Sequence, residues 1–256
     1  MKKFINNLKK YRFLLYELIK KDIKLKYRSS VLGVLWTLLE PLLTMLVLVL
    51  VFSEMLGKGD QYYPVYILSG RLLYGFFSNG TKAALKSIRS HSSMIGKVYV
   101  PKYMYPVATI MSNYIIFLIS LVVLVAVSAV LKVSPTPYLL GAVAPLLIIV
   151  VLTLGVGLLL ATLNVFFRDM EYLWGVALML IMYMSAIFYK VDNITRHAWI
   201  FKVNPLYSVI VNFRNAIFGQ PLDTYHLLLS MVSSVVLLAV GMVVFWRKQD
   251  EFILYL

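Results

Sequence analysis

The chain has 256 residues, 61% hydrophobic and only 14% charged, with a mean hydropathy of +0.83. Soluble domains carry about 45–50% apolar and about 25% charged residues, so a soluble enzyme, a disordered tail and a disulfide scaffold are all disfavoured and an integral membrane protein remains. The net charge of +14 fits the Lys and Arg that accumulate in cytoplasmic loops better than nucleic acid, and the absence of cysteine excludes disulfides and thiolate metal sites.

The first 30 residues are basic throughout and lack a short apolar core with a small-residue cleavage site, so they read as part of the mature chain. Residues 8–28 read as a helix, with Tyr11, Leu14, Leu15, Leu18 and Leu25 on one face and Lys9, Lys20, Lys24 and Arg28 elsewhere. Such a helix lies in the membrane interface. Asp22 interrupts the apolar side, which points to a protein contact.

Six segments are long and apolar enough to cross a hydrocarbon core: 34–56, 63–84, 104–131, 139–165, 172–190 and 226–246. The stretch 204–219 is too short and too polar to cross, and a re-entrant or interfacial helix pair suits it. Its apolar face is Leu206, Val209, Ile210, Phe213 and Ile217. With the N-terminus inside, eighteen Lys and Arg fall on the inner side and six on the outer, which puts both termini in the cytoplasm. The expected architecture is a single all-α membrane domain over 1–256, with an interface helix at 8–28 and a six-helix bundle at 34–246.

No GxxxxGK[ST] loop is present, so ATP hydrolysis by a Walker mechanism is not expected of this chain. No HExxH occurs, and His91, His197 and His226 lie far apart, as solvated structural histidines do. Few ionisable residues fall inside predicted spans, Glu40 and Glu54 in the first and Arg71 in the second among them. Trp36, Glu40, Val47, Leu50 and Glu54 share one stripe, so the carboxylates either face a common lumen or reach interfacial water. Tyr63, Tyr66, Tyr74 and Phe77 share a face of the second span, with Arg71 beside it. Two readings stand: an aromatic face that lines a channel, or belt residues and ordinary helix packing.

Residues 21–36 read Lys-Asp-Ile-Lys-Leu-Lys-Tyr-Arg-Ser-Ser-Val-Leu-Gly-Val-Leu-Trp, followed by Pro41. This resembles the entry segment of the permease subunits of ABC-2 type polysaccharide exporters. Residues 94–106, the run Asn164-Val165-Phe166-Phe167-Arg168-Asp169, and Asn204-Pro205-Leu206 followed by Arg214 and Gly219 resemble further segments of that family, in the same order.

The resemblance implies an ABC-2 permease fold and export of a lipid-linked polysaccharide, O-antigen foremost, with capsule and teichoic acid as the other classes. It implies a non-catalytic channel subunit that holds no cofactor, with ATP and Mg on a separate ATPase subunit. The expected assembly is a homodimer with two ATPase copies in the bacterial cytoplasmic membrane, bound to lipid and substrate and not to nucleic acid. Trp36, Tyr63, Tyr66, Arg71, Tyr74 and Phe77 are the expected channel residues. Asp22, Lys97, Val98, Tyr99, Pro101, Lys102, Arg168 and Asp169 are expected to couple to the ATPase. A solvated positive loop explains the charges of 86–102 equally well, and Asp169 can instead cap the following helix. Asn204, Pro205 and Arg214 belong to a gate, with Arg214 either on lipid or substrate phosphate or in a structural ion pair. A drug or lipid permease is the neighbouring alternative. An ion-driven carrier would want mid-span carboxylates and an inverted repeat, and a membrane transferase would want clustered acidic residues; neither pattern is visible.

Overall fold

The computed structural model describes residues 10–28, 30–53, 59–95, 100–191 and 199–255. Glu54, Lys97, Val98, Tyr99 and His197 lie outside the described residues. Among those described, the fold is all helix and turn. The principal helices are α1 (Arg12–Tyr27), α2 (Trp36–Phe52), α3 (Tyr63–Ser90), α4 (Met104–Val130), α5 (Val143–Phe166), α6 (Met170–Met184), α7 (Pro205–Ile217) and α8 (Thr224–Lys248). Short helical turns cover Ser92–Ile95 and Trp199–Val203, and 3-10 segments cover Gly33–Leu35, Pro137–Ala142 and Glu251–Leu254.

Among the described residues four stretches are long and apolar enough to cross a membrane: Gly33–Phe52, Met104–Val130, Pro137–Phe166 and Thr224–Lys248. The other two predicted spans correspond to α3, which is long but polar in places, and α6, which is apolar but only 15 residues long. α3 is the central element, packed against α4 and α5 and more lightly against α2, α6 and α7. Its polarity follows from that position. Ser69, Gly70, Ser78, Gly80, Thr81 and Ser87 are buried, and small residues let helix backbones approach closely in a membrane. The hydroxyls of Ser69, Thr81 and Ser87 bond carbonyls one turn back in the same helix, so burial leaves them satisfied.

The closest helix pair is α5 against α8. A Cβ on Gly155 would lie 2.5 Å from the Leu238 backbone nitrogen, and one on Gly241 would lie 2.5 Å from the Gly155 carbonyl oxygen. Backbone therefore meets backbone, with no flexible side chain between to yield.

Two clusters make up the core. The larger joins α3, α4, α5 and α7 along the bundle. The smaller gathers Leu18 of α1, Ile88 of α3, Ile95, Tyr105 of α4, Val165 of α5 and Phe252. The expected apolar face of α1 is thus partly a protein contact: Leu18 is buried with Tyr11, Leu14 and Leu15 packed beside it, whereas Leu25 is exposed. All five apolar residues of the predicted 204–219 face are buried. By contrast, one side of α2 (Trp36, Val47, Leu50) and one side of α6 (Tyr172, Val176, Met179, Tyr183) are exposed apolar surface.

Replacing Gly155 with Ala should destabilise the detergent-solubilised protein by about 1–3 kcal/mol, the usual cost of overpacking, read as a lower unfolding temperature. An unchanged temperature would mean that α5 and α8 do not cross at backbone contact.

Candidate functional site

α3 carries two dissimilar faces. Tyr63, Tyr74 and Phe77 are buried on the first, with Tyr66 beside them. Around the helix, Arg71, Gly75, Asn79, Lys82 and Lys86 recur every three or four residues, and each is exposed or half-exposed. This second face is a polar lane along an otherwise packed helix.

The lane opens onto a cleft walled by α1, α2, α3 and α4. Its upper chamber, about 290 Å³, is lined by Arg71, Tyr74, Asn79 and Lys82 of α3, Thr37, Glu40 and Thr44 of α2, and Asn113 and Ser120 of α4. A lower chamber of about 770 Å³ shares Lys26, Glu40, Asn79 and Asn113 with it and continues past Asp22 and His91. Local bonds hold the walls: the Ser120 hydroxyl donates to the Thr37 carbonyl at 2.9 Å, and the Asn113 amide donates to the Thr109 carbonyl at 2.7 Å. Asp22 is half-buried; burial pushes its carboxyl above the ordinary value against the opposing charges of His91 and Lys21. The cleft is thus rich in hydroxyls and amides, with more cations than anions.

The predicted channel residues divide. Arg71 and Tyr74 are on the cleft wall, whereas Tyr63, Tyr66, Phe77 and Trp36 are not among its lining residues. The Tyr74 hydroxyl donates to the Leu178 carbonyl of α6 at 2.9 Å, and Phe77 meets the edge of Trp174. Trp36 is exposed on the same side of α2 as Glu40, Val47 and Leu50. Asn79 and Lys82 lie off the aromatic stripe of α3 and are not among the expected channel residues; the signal that finds them is the recurrence of polar or small residues every three or four positions from Arg71 to Lys86.

Residues assigned in advance to channel and gate meet at the end of α6. That helix stops at Met184, and Ala186 follows in a left-handed conformation at φ 46°. The Tyr63 hydroxyl donates to the Phe188 carbonyl at 2.7 Å, and the Tyr66 hydroxyl donates to that of Tyr189 at 2.8 Å. Arg214 is 4% exposed. Its Nη1 donates to the Ala186 carbonyl at 3.0 Å, and its Nη2 donates to those of Tyr66 at 3.0 Å and Ile187 at 3.1 Å. The guanidinium carbon lies 3.5 Å from the centre of the Tyr66 ring. Among the described residues Arg214 has no carboxylate partner, so the expected ion pair is replaced by carbonyls and a ring face. Gly70 makes room: a Cβ there would fall 2.5 Å from Nη2.

Asn204 explains the Asn-Pro element. Its Oδ1 accepts from the amides of Leu206 and Tyr207, capping α7, while Pro205 occupies the first turn, where no amide is needed. Its Nδ2 reaches the Met184 carbonyl at 3.0 Å.

Of the expected coupling residues, Arg168 and Asp169 are exposed in the link between α5 and α6. Asp169 occupies the N-cap position of α6, but its side chain makes no capping bond. Pro101 begins the turn into α4, where the Met104 amide bonds its carbonyl. Lys102 donates to the Gln249 carbonyl at 2.5 Å and lies over the Phe252 ring, so it ties α4 to the end of α8.

Gly70→Ala and Arg214→Met should each lower the unfolding temperature, since both disturb the same guanidinium. The double variant should cost less than the sum of the two, by about 0.5–3 kcal/mol. Strict additivity in a double-mutant cycle would show that they do not act on one contact.

A family model described as ABC-2 type transporter matches residues 14–218. An O-antigen export system permease protein, RfbA, from Klebsiella pneumoniae is 29% identical over 242 residues, covering 93% of each chain. The RfbA of Myxococcus xanthus is 27% identical over 256 residues, covering 98% of each. The polysialic acid transport protein KpsM of Escherichia coli is 23% identical over 207 residues, covering 77% of this chain and 78% of its own. The match spans most of the helical bundle, and it includes the entry segment and the Asn-Pro element whose structure is described above. The chain belongs to the membrane family of ABC-2 type transporters.

Proposed function

We propose that this chain is the membrane subunit of an ATP-driven exporter that moves a lipid-linked polysaccharide, O-antigen foremost, across the bacterial inner membrane. Family membership supports the class, and relatives named as O-antigen permeases cover nearly the whole chain. The observation that carries the mechanism is the polar lane of α3, where Arg71, Asn79 and Lys82 share one cleft with Glu40, Asn113 and Ser120. Hydroxyls, amides and scattered charges offer a sugar chain many weak, exchangeable contacts, which suits sliding better than one tight pocket.

In this reading α3 and α6 join the four long apolar helices to make six crossings, and the short helix Trp199–Val203 with α7 forms a re-entrant pair on the outer side. The excess of Lys and Arg on the other side supports cytoplasmic termini. Two copies face each other across the exposed sides of α2 and α6 and close the half-open cleft into a conduit. The chain itself catalyses nothing. ATP and Mg are held by two copies of a separate ATPase subunit, which push on the inner face through α1, the 86–102 segment and the Arg168-Asp169 link.

Deleting the gene should remove the surface glycan. Restoring it with Arg71→Ala or Asn79→Leu should leave export down about tenfold, the scale of one lost 1.4 kcal/mol contact, while the complex still assembles and hydrolyses ATP. Normal export by both variants would remove the lane from the path. Uphill transport by the purified chain in vesicles, on an ion gradient without nucleotide or a second subunit, would overturn the whole reading.

A further inference from the structure

On the side of the bundle away from α1, a second cavity of about 700 Å³ lies among Tyr62 and Tyr66 of the α3 entrance, Tyr207, Arg214 and Phe218 of α7, and Lys190. Its size falls within the range of roughly 300–1,000 Å³ typical of small-ligand sites. It shares no lining residue with the cleft of α1–α4.

Three features of its wall define what it can hold. Aromatic rings are concentrated there, with Tyr62 and Phe218 at 6.4 Å between centroids and Tyr62 exposed. The cationic donors are largely spent: Lys190 bonds Asp60 at 2.7 Å, and Nη1 and Nη2 of Arg214 are committed to three carbonyls above the Tyr66 ring. Burial pushes the Asp60 carboxyl up, but the Lys190 hydrogen bond, the Tyr62 amide and the Lys190 charge together hold it below its ordinary value, so the pair stays ionised. The third feature is a pair of amide side chains on the same wall, Asn215 and Gln220.

With Lys190 paired and the Arg214 terminal nitrogens bonded to carbonyls, the wall has no cationic donor to spare for a phosphate. Ring faces beside amides and a closed ion pair suit a ligand that is apolar on its C–H faces and hydroxylated at its edges, which is a pyranose. We infer that this outer cavity is a carbohydrate subsite that holds a short stretch of the exported glycan as it leaves the membrane. The inference rests on the polysaccharide-export reading and adds to it a place on the exit side where the sugar is held. Stacking on Tyr62 and hydrogen bonds from the Asn215 and Gln220 amides would hold sugar rings in turn.

The absence of cysteine makes the test direct. Gln220→Cys, on the cavity wall, and Tyr138→Cys, exposed and outside it, are each labelled in whole cells with a membrane-impermeant maleimide. In cells that cannot synthesise the glycan both should react. In exporting cells position 220 should be protected about fivefold, as an occupied site of moderate affinity is, and position 138 should not. Tyr62→Phe should keep the protection and Tyr62→Ala should lose it. Asn215→Cys supplies the same readout if the first variant fails to assemble. Equal labelling at 220 with and without glycan, or no labelling from outside in either strain, overturns the inference. If the deletion strain keeps its surface glycan, the export reading has failed instead, and the labelling experiment distinguishes the two.

Discussion

α6 ends at Met184 inside the bundle, and the carbonyls of a helix end must find donors when water is excluded. Asn204 serves Met184, Arg214 serves Ala186 and Ile187, Tyr63 serves Phe188, and Tyr66 serves Tyr189. The donors come from α3, α7 and the turn before α7, so the stop in α6 ties these elements together. The arrangement also accounts for a buried cation without an anion. A guanidinium in apolar surroundings is costly, and here oxygen atoms on three carbonyls and the face of Tyr66 replace its hydration. The left-handed backbone at Ala186 persists because its carbonyl is one of those oxygens.

α3 divides its work by face. The aromatic face closes the protein on itself, with phenol hydroxyls bonded to α6 and to the turn that follows it. The lane from Arg71 to Lys82 stays open, and its neighbours on α2 and α4 include Thr37, Glu40, Thr44, Asn113 and Ser120 beside Pro41, Ile116 and Phe117. A helix that packs on several sides and lines a polar cleft on another cannot show a strong apolar signal. That is why its hydropathy falls below that of Met104–Val130 or Pro137–Phe166 although it packs against five of the other principal helices.

Much of this was legible in the residues. Long apolar runs gave α2, α4, α5 and α8, and the spacing of Leu206, Val209, Ile210, Phe213 and Ile217 gave the buried face of α7. Asp22 announced itself as an anomaly on an apolar face, and it lines the lower chamber of the cleft. The ligands of Arg214 were not legible, because backbone carbonyls carry no sequence signature and become available only once α6 is seen to stop. The same limit applies to Lys102: a lysine in a basic segment looks free until Gln249, 147 positions away, is brought against it. Periodicity places a residue on a face but does not say which of two faces is packed, and so the aromatic stripe of α3 stood out over its polar one.

At the crossing of Gly155 and Gly241, α5 and α8 touch main chain to main chain. Two rods joined without intervening side chains have no soft layer in which to slide or tilt, so they act as a fixed post. Rearrangement during a transport cycle then falls to helices outside that contact, α2 and α6 among them, both of which pack on α3.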